Sequence, residues 1–84
     1  MANTLEYRGI TLIEVRDGRL HMFNNSIEKE KFVKTHKEGT YRLENGCAIC
    51  KLYMVIDTEG TGWNLTKKEA IEYEAAVDLI NHYL

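Results

Sequence analysis

The chain has 84 residues, a formal net charge of −2 and no proline. This length predicts one domain, residues 1–84, because domains rarely fall below about 50 residues. A charge so close to neutral argues against a general binder of polyanions. No apolar run reaches the roughly 18 residues of a membrane-spanning helix, and the first residues lack the pattern of a signal peptide. We therefore expect a cytoplasmic protein without membrane contact.

The first predicted element is a β-hairpin around Asp17-Gly18, a dipeptide that favours tight turns. With these two residues as the turn, Val15 lies opposite Leu20, and Glu14 lies opposite His21. One face of the hairpin is then wholly apolar and consists of Ile13, Val15, Leu20 and Met22. Because no nucleophile accompanies Glu14 and His21, we interpret them as a cross-strand charge pair and not as a catalytic pair.

In this hairpin Arg16 and Arg19 flank the turn. Like charges placed opposite each other cost stability, so their presence at a tip favours a binding role. Arginine suits the recognition of carboxylates, which indicates an anion or an acidic protein surface as the ligand. The alternative is a solvated turn at which the two side chains only aid solubility. We name both as candidate partner-binding residues.

The next segment, residues 26–38, has a composition of helix-forming residues. Asn25 or Ser26 can cap its start, and Gly39 can end it. A strand over residues 32–36 is the alternative, because the apolar residues of the segment do not share one helical face. We predict a short helix between two hairpins.

A second hairpin is predicted at Asn45-Gly46. Its register pairs Leu43 with Ala48 and Tyr41 with Cys50. The longest apolar run of the chain, Cys47–Ile56, follows and predicts the central strand. One face of this hairpin then carries Tyr41, Leu43, Ala48, Cys50, Leu52, Met54 and Ile56.

The reverse face of this sheet is more apolar than a solvated face should be. It holds Leu12, Phe23, Ile49, Tyr53 and Val55. Either the middle segment covers it or a partner does, and a second copy of the chain is one such partner. Ile49 and Tyr53 are therefore candidate partner-binding residues.

The last element is an amphipathic helix over Thr66–Leu84. Thr66 and Glu69 form a capping box, and apolar residues recur every three or four positions after it. We expect this stripe to cover the Tyr41, Leu43 and Cys50 face. The fold class that follows is α+β: an antiparallel sheet of four to five strands with the C-terminal helix packed on one face.

Cys47 and Cys50 form a C-x-x-C pair. A structural zinc site needs four ligands, and the three histidines are scattered along the chain. Within a strand, residues three apart point to opposite faces, so Cys47 should point outward and Cys50 inward. The sequence therefore predicts no metal, no cofactor and no disulfide between these residues.

Two glycines and a tryptophan precede the C-terminal helix, in Gly60–Trp63. The segment lacks the pattern of a phosphate-binding loop. Trp63 either closes the core at the helix or stands exposed as an anchor for a partner. We keep it among the candidate partner-binding residues.

The segment from Gly60 to Ile80 resembles the end of a double-stranded-RNA-binding domain. In that family a G-x-G turn leads to a lysine pair and an alanine-containing final helix. The resemblance covers about a quarter of the chain and implies that Lys67 and Lys68 contact phosphates. It differs from the family in its acidic helix and in the missing first helix.

The sequence carries no recognisable catalytic constellation, cofactor loop or metal set. It therefore predicts a non-enzymatic binding module that acts by protein–protein contact. Its size is typical of a regulator or inhibitor of a larger complex, such as the inhibitors that phages make against host systems. The alternatives are a nucleic-acid-binding module that uses Lys67 and Lys68, and a small enzyme with an unrecognised site.

Overall fold

The computed structural model describes residues 3–56 and 69–83. These residues form five strands and two helices in an antiparallel sheet arrangement, which confirms the predicted α+β fold. The elements are β1 (Thr4–Tyr7), β2 (Ile10–Met22), α1 (Ser26–Thr35), β3 (Tyr41–Glu44), β4 (Cys47–Ile56), β5 (Ile71–Glu72) and α2 (Tyr73–Tyr83).

Strand β4 lies at the centre of the sheet, as its long apolar run predicts. The order across the sheet is β1-β2-β4-β3, and β5 also pairs with β4. Because β2 takes one edge of β4, β3 and β5 share the other edge. β3 pairs with Cys47–Cys50, and β5 pairs with Leu52 and Tyr53.

The prediction of a hairpin at Asp17-Gly18 is wrong, because β2 continues through these residues without a turn. The first hairpin instead turns at Arg8-Gly9, with φ of 53° and 84°, as a two-residue type I′ turn requires. β2 then pairs with β4 from Thr11 to Met22, with two register shifts that each place an extra residue in β2. Long-range pairing with the central strand has overridden the local turn signal.

Gly18 is needed in this strand for close approach and not for a turn. A Cβ atom added there would lie 2.7 Å from Cγ of Leu52 and 3.2 Å from the Cys50 carbonyl oxygen. Gly18 lies within the second register shift, between Asp17 and Leu20. The glycine that suggested a turn therefore fits a bulge.

The predicted middle helix and second hairpin are both confirmed, but α1 ends at Thr35 with His36 as its C-cap, so the predicted end at Gly39 is wrong. The Asn25 side chain caps α1 by accepting a hydrogen bond from the Glu28 backbone N–H at 2.9 Å. The β3–β4 ladder has the predicted pairs, Tyr41 with Cys50 and Leu43 with Ala48. Gly46 in the turn has a φ of +82°. Short-range signals were sufficient at both places.

The sheet buries opposite faces at its two ends. In β4 the buried residues are Ala48 and Cys50, and then Tyr53 and Val55. Since both extra residues lie in β2, the alternation in β4 is unbroken, and the two pairs point to opposite faces. We call them the α1 face and the α2 face after the helix that packs on each.

Each face has its own small core. On the α1 face, Phe32 packs with Ala48 and Cys50. On the α2 face the core consists of Ile10, Leu12, Tyr53, Val55, Ala76 and Ile80. The prediction that the C-terminal helix covers the Tyr41 and Cys50 face is therefore wrong, because α2 covers the reverse face.

The C-terminal helix also begins later than predicted. Ile71 and Glu72 form β5, and the helix starts at Tyr73, so the helical start at Thr66 is wrong for residues 69–72. Thr66 itself lies outside the described residues. Strand β5 gives Leu52 and Tyr53 backbone partners on an edge that β3 does not reach.

Candidate protein-binding surface

Half of the α2 face, toward the β3–β4 turn, carries apolar side chains that neither described helix covers. Leu20 is 54% exposed and Met22 is 63% exposed. They lie opposite Ile49 and Cys47 in the β2–β4 ladder, and both of these side chains are half-buried. We call Leu20, Met22, Ile49 and Cys47 the apolar strip.

Two charged side chains of β3 border the apolar strip. Arg42 lies opposite Ile49, and Glu44 lies opposite Cys47. Nε of Arg42 donates to a Glu44 carboxylate oxygen at 3.0 Å, and Nη1 of Arg42 contacts the Asp17 carboxylate at 3.2 Å. An exposed apolar centre with a charged border is typical of protein-binding surfaces.

Strand β1 pairs with the outer edge of β2 only as far as Ile13. Beside the strip, this edge has no strand partner among the described residues. The next contact on that edge is a hydrogen bond from the Glu14 backbone N–H to the Asn3 carbonyl oxygen, at 2.9 Å. Both register shifts fall in the same part of β2. Bulges twist an edge away from regular strand addition, so the face of the sheet is the better binding surface.

The two arginines predicted at a hairpin tip lie instead within β2. Arg16 is exposed and pairs with Leu52 in the ladder. Nε of Arg19 lies 3.3 Å from a Glu72 carboxylate oxygen, and this hydrogen bond and the charge of Glu72 raise the pKa of Arg19. A hairpin tip with two unpaired arginines is therefore a wrong prediction, because Arg19 joins β2 to β5.

Of the other predicted binding residues, only Ile49 lies in the apolar strip. Tyr53 is 0% exposed, so its prediction as a surface residue is wrong. Its hydroxyl donates to the Gly39 carbonyl oxygen at 2.6 Å, and burial raises its pKa to about 12. The remaining candidates, Trp63, Lys67 and Lys68, lie outside the described residues.

The predicted pair of Glu14 and His21 is also wrong, because both residues belong to β2. Glu14 forms an ion pair with Lys51, with Nζ 3.4 Å from Oε2. The His21 ring lies 4.9 Å from the Phe32 ring and belongs to an aromatic cluster under α1. The cluster also contains Phe23, His36 and Tyr41.

A small crevice lies where α1, β5 and the start of α2 meet. Its lining includes polar and ionisable side chains, namely Arg19, His36, Lys37, Cys50, Glu72 and Glu74. Its volume of about 30 Å³ admits one or two water molecules. A site for a small organic ligand usually needs about 300 Å³ or more. The arrangement therefore fits a polar contact between elements better than a substrate site.

The two cysteines point to opposite faces, as predicted. Cys50 is buried in the α1 core, and burial raises its thiol pKa. Cys47 is half-buried in the apolar strip, and both thiols are free. Within residues 3–56 and 69–83, no group of three or more His, Cys, Asp or Glu side chains is placed to hold a metal ion.

Sequence reasoning missed Leu20 and Met22 as surface residues. It placed them on an apolar hairpin face that the core would bury, because Asp17-Gly18 was taken as a turn. Once β2 is one strand, Leu20 and Met22 follow the alternation set by Ile49 and Cys47. No short-range signal shows that β2 is one strand, because this depends on its long-range pairing with β4.

A scan against protein-family models and searches of curated proteins and solved structures found no match for this chain. Neither helix in the described part of the chain has the length and apolarity that crossing a membrane requires.

Proposed function

We propose that this protein is a non-enzymatic binding module that contacts another protein through the apolar strip. The observation that carries the proposal is the adjacent exposure of Leu20 and Met22 on a sheet face. Burying a side chain of this size contributes about 1.5–3 kcal/mol. A partner that covers both would therefore gain substantial binding energy.

The surroundings of the strip favour a protein as the partner. The strip itself is apolar, which suits the buried centre of a protein interface. Its border carries Arg42, Glu44 and Asp17, so the two charge signs are mixed. A nucleic-acid surface would require an excess of positive charge. The nucleic-acid alternative depended on Lys67 and Lys68, and the described residues add no support to it.

A chain of 84 residues whose described part exposes the apolar strip suits a regulator that acts by occupying a surface of a larger complex. An inhibitor of the type that phages make against host systems would work in this way, in the cytoplasm. This role requires binding and no turnover, which agrees with a surface built from Leu20, Met22 and Ile49.

Affinity capture tests the proposal with a matched control. Leu20→Glu places a charge in the strip, while Ile27→Glu places one on α1, where Ile27 is 65% exposed. Wild type and Ile27→Glu should retain the same protein from the source cell, and Leu20→Glu should lose it. The captured protein, once purified, should bind wild type and not Leu20→Glu in calorimetry.

Equal capture by all three proteins would contradict the proposal. Both substitutions lie at exposed positions, where the free energy of unfolding usually changes by no more than about 0.5 kcal/mol. Urea denaturation of both variants therefore shows whether a loss of capture reflects binding or folding.

A further inference from the structure

We infer that the partner of the apolar strip is a second copy of this chain, packed face to face about a two-fold axis. This inference rests on the proposed function, because it names the protein that covers the strip. It follows from the arrangement of charge and apolar surface along two neighbouring rows of the sheet.

Each row crosses three strands and has one charged end and two apolar members. The first row is Arg42, Ile49 and Leu20, and the second row is Glu44, Cys47 and Met22. The members of each row lie directly opposite one another, so all six side chains are on the α2 face. The rows are alike in apolar content and opposite in charge.

A two-fold axis that runs across the strands between the two rows exchanges them. It places Arg42 of one copy over Glu44 of the other, and Glu44 over Arg42. The apolar members then meet apolar members, with Leu20 over Met22 and Ile49 over Cys47. The surface is thus complementary to itself, as an isologous interface requires.

The side-chain lengths suit this packing. Packed sheets lie about 10 Å apart, a distance that an arginine and a glutamate can span together. Since Arg42 already contacts Glu44 and Asp17 within its own chain, the dimer would join three charges from each copy in one network. Exposed ion pairs contribute about 0–1 kcal/mol each, so the apolar contacts supply the affinity and the charges set the register.

The size of the surface predicts a weak dimer. The two rows provide six residues per copy, while a stable interface uses about 20–30 per side. We therefore expect a reversible dimer that dissociates on dilution to low micromolar concentration.

Sedimentation equilibrium with two charge reversals tests the inference. Wild type should pass from the 9.8 kDa chain mass toward twice that mass as its concentration rises to about 1 mM. Arg42→Glu alone makes both side chains of each inter-chain charge pair acidic, and Glu44→Arg alone makes both of them basic. Because like charges then face each other, each variant should dimerise about tenfold more weakly than wild type, or not at all.

An equimolar mixture of the two variants should regain the dimer. The two acidic side chains at positions 42 and 44 of one chain then face two basic side chains of the other. The matched control uses Lys29→Glu and Glu30→Lys, which make the same changes in net charge at exposed positions of α1. These two control variants should each dimerise as wild type does.

A monomer at every wild-type concentration would overturn the second copy as partner. The two-fold pairing would be overturned if Arg42→Glu and Glu44→Arg each dimerised as strongly as wild type. It would also be overturned if their mixture formed no dimer. The proposed function fails separately, when Leu20→Glu captures the same protein as wild type does.

Discussion

Leu20 lies directly opposite Ile49 in the β2–β4 ladder, on the sheet face that α2 covers only at its other end. This relationship follows from the single long strand β2. A turn at Asp17-Gly18 would have placed Leu20 against Val15 instead. The same strand thus creates the exposed strip and separates the two cores.

A double-mutant cycle tests the position of Gly18 in the strand. Gly18→Ala should destabilise the fold by about 1–3 kcal/mol, because its Cβ would overlap Leu52. Leu52→Ala removes the atoms that it meets, so the two substitutions should couple by about 1 kcal/mol or more. Urea denaturation of the four proteins measures this coupling. Strictly additive effects would instead support a local turn at Gly18.

Because the two cores are separate, a substitution that weakens one core should destabilise mainly the helix that packs on it. Phe32→Leu weakens the packing of α1, and Ile80→Val weakens that of α2 by about 0.5–1.5 kcal/mol. Native-state hydrogen exchange should show loss of protection first in α1 for Phe32→Leu and first in α2 for Ile80→Val. Equal loss in both helices for both variants would mean that the sheet couples them into one unit.

The buried Tyr53 hydroxyl predicts a loss of stability at high pH. The folded state keeps this proton until about pH 12, whereas an unfolded tyrosine releases it near pH 10. Stability from this group is therefore complete below pH 10 and falls between pH 10 and 12, by roughly 2–3 kcal/mol. Tyr53→Phe should remove this part of the pH dependence.

Ultraviolet absorbance measures the ionisation of the Tyr53 hydroxyl directly. One of the five tyrosines should ionise near pH 12 in the folded protein, and this late step should be absent in Tyr53→Phe. Absence of this late step in the folded wild-type protein would show that Tyr53 is not buried.

The two cysteines should differ in their reactivity toward iodoacetamide. The thiolate is the reactive form, and burial both raises the pKa of Cys50 and blocks access to it. We expect Cys47 to be modified about tenfold faster or more. Mass spectrometry of Cys47→Ser and Cys50→Ser gives the two rates separately. Similar rates, or ready formation of a Cys47–Cys50 disulfide, would contradict their placement on opposite faces.

The sequence predicted those elements whose signals are short-range. The N-terminal cap of α1 and the turn at Asn45-Gly46 act within a few residues, and both were located correctly. The first hairpin was misplaced because Asp17-Gly18 is a stronger local signal than Arg8-Gly9. Only the pairing of β2 with β4, which is long-range, decides between them.

The faces of the sheet could not be assigned from the sequence for a related reason. Both sets of side chains in β4 are mostly apolar, with Lys51 the exception, so the stripe of α2 fits either of them. The change of buried face between Cys50 and Tyr53 depends on where each helix docks. Ile49 was identified because it belonged to a set with unexplained apolar character, while Leu20 was assigned to the core.

Site-specific photo-crosslinking tests most directly whether the apolar strip binds protein. A photoreactive phenylalanine analogue replaces Leu20 in one variant and Ile27 in a second, since both positions are exposed. We expect irradiation in the source cell to join the chain to a protein from position 20 and not from position 27. Equal protein adducts from both positions, or adducts to nucleic acid alone, would contradict it.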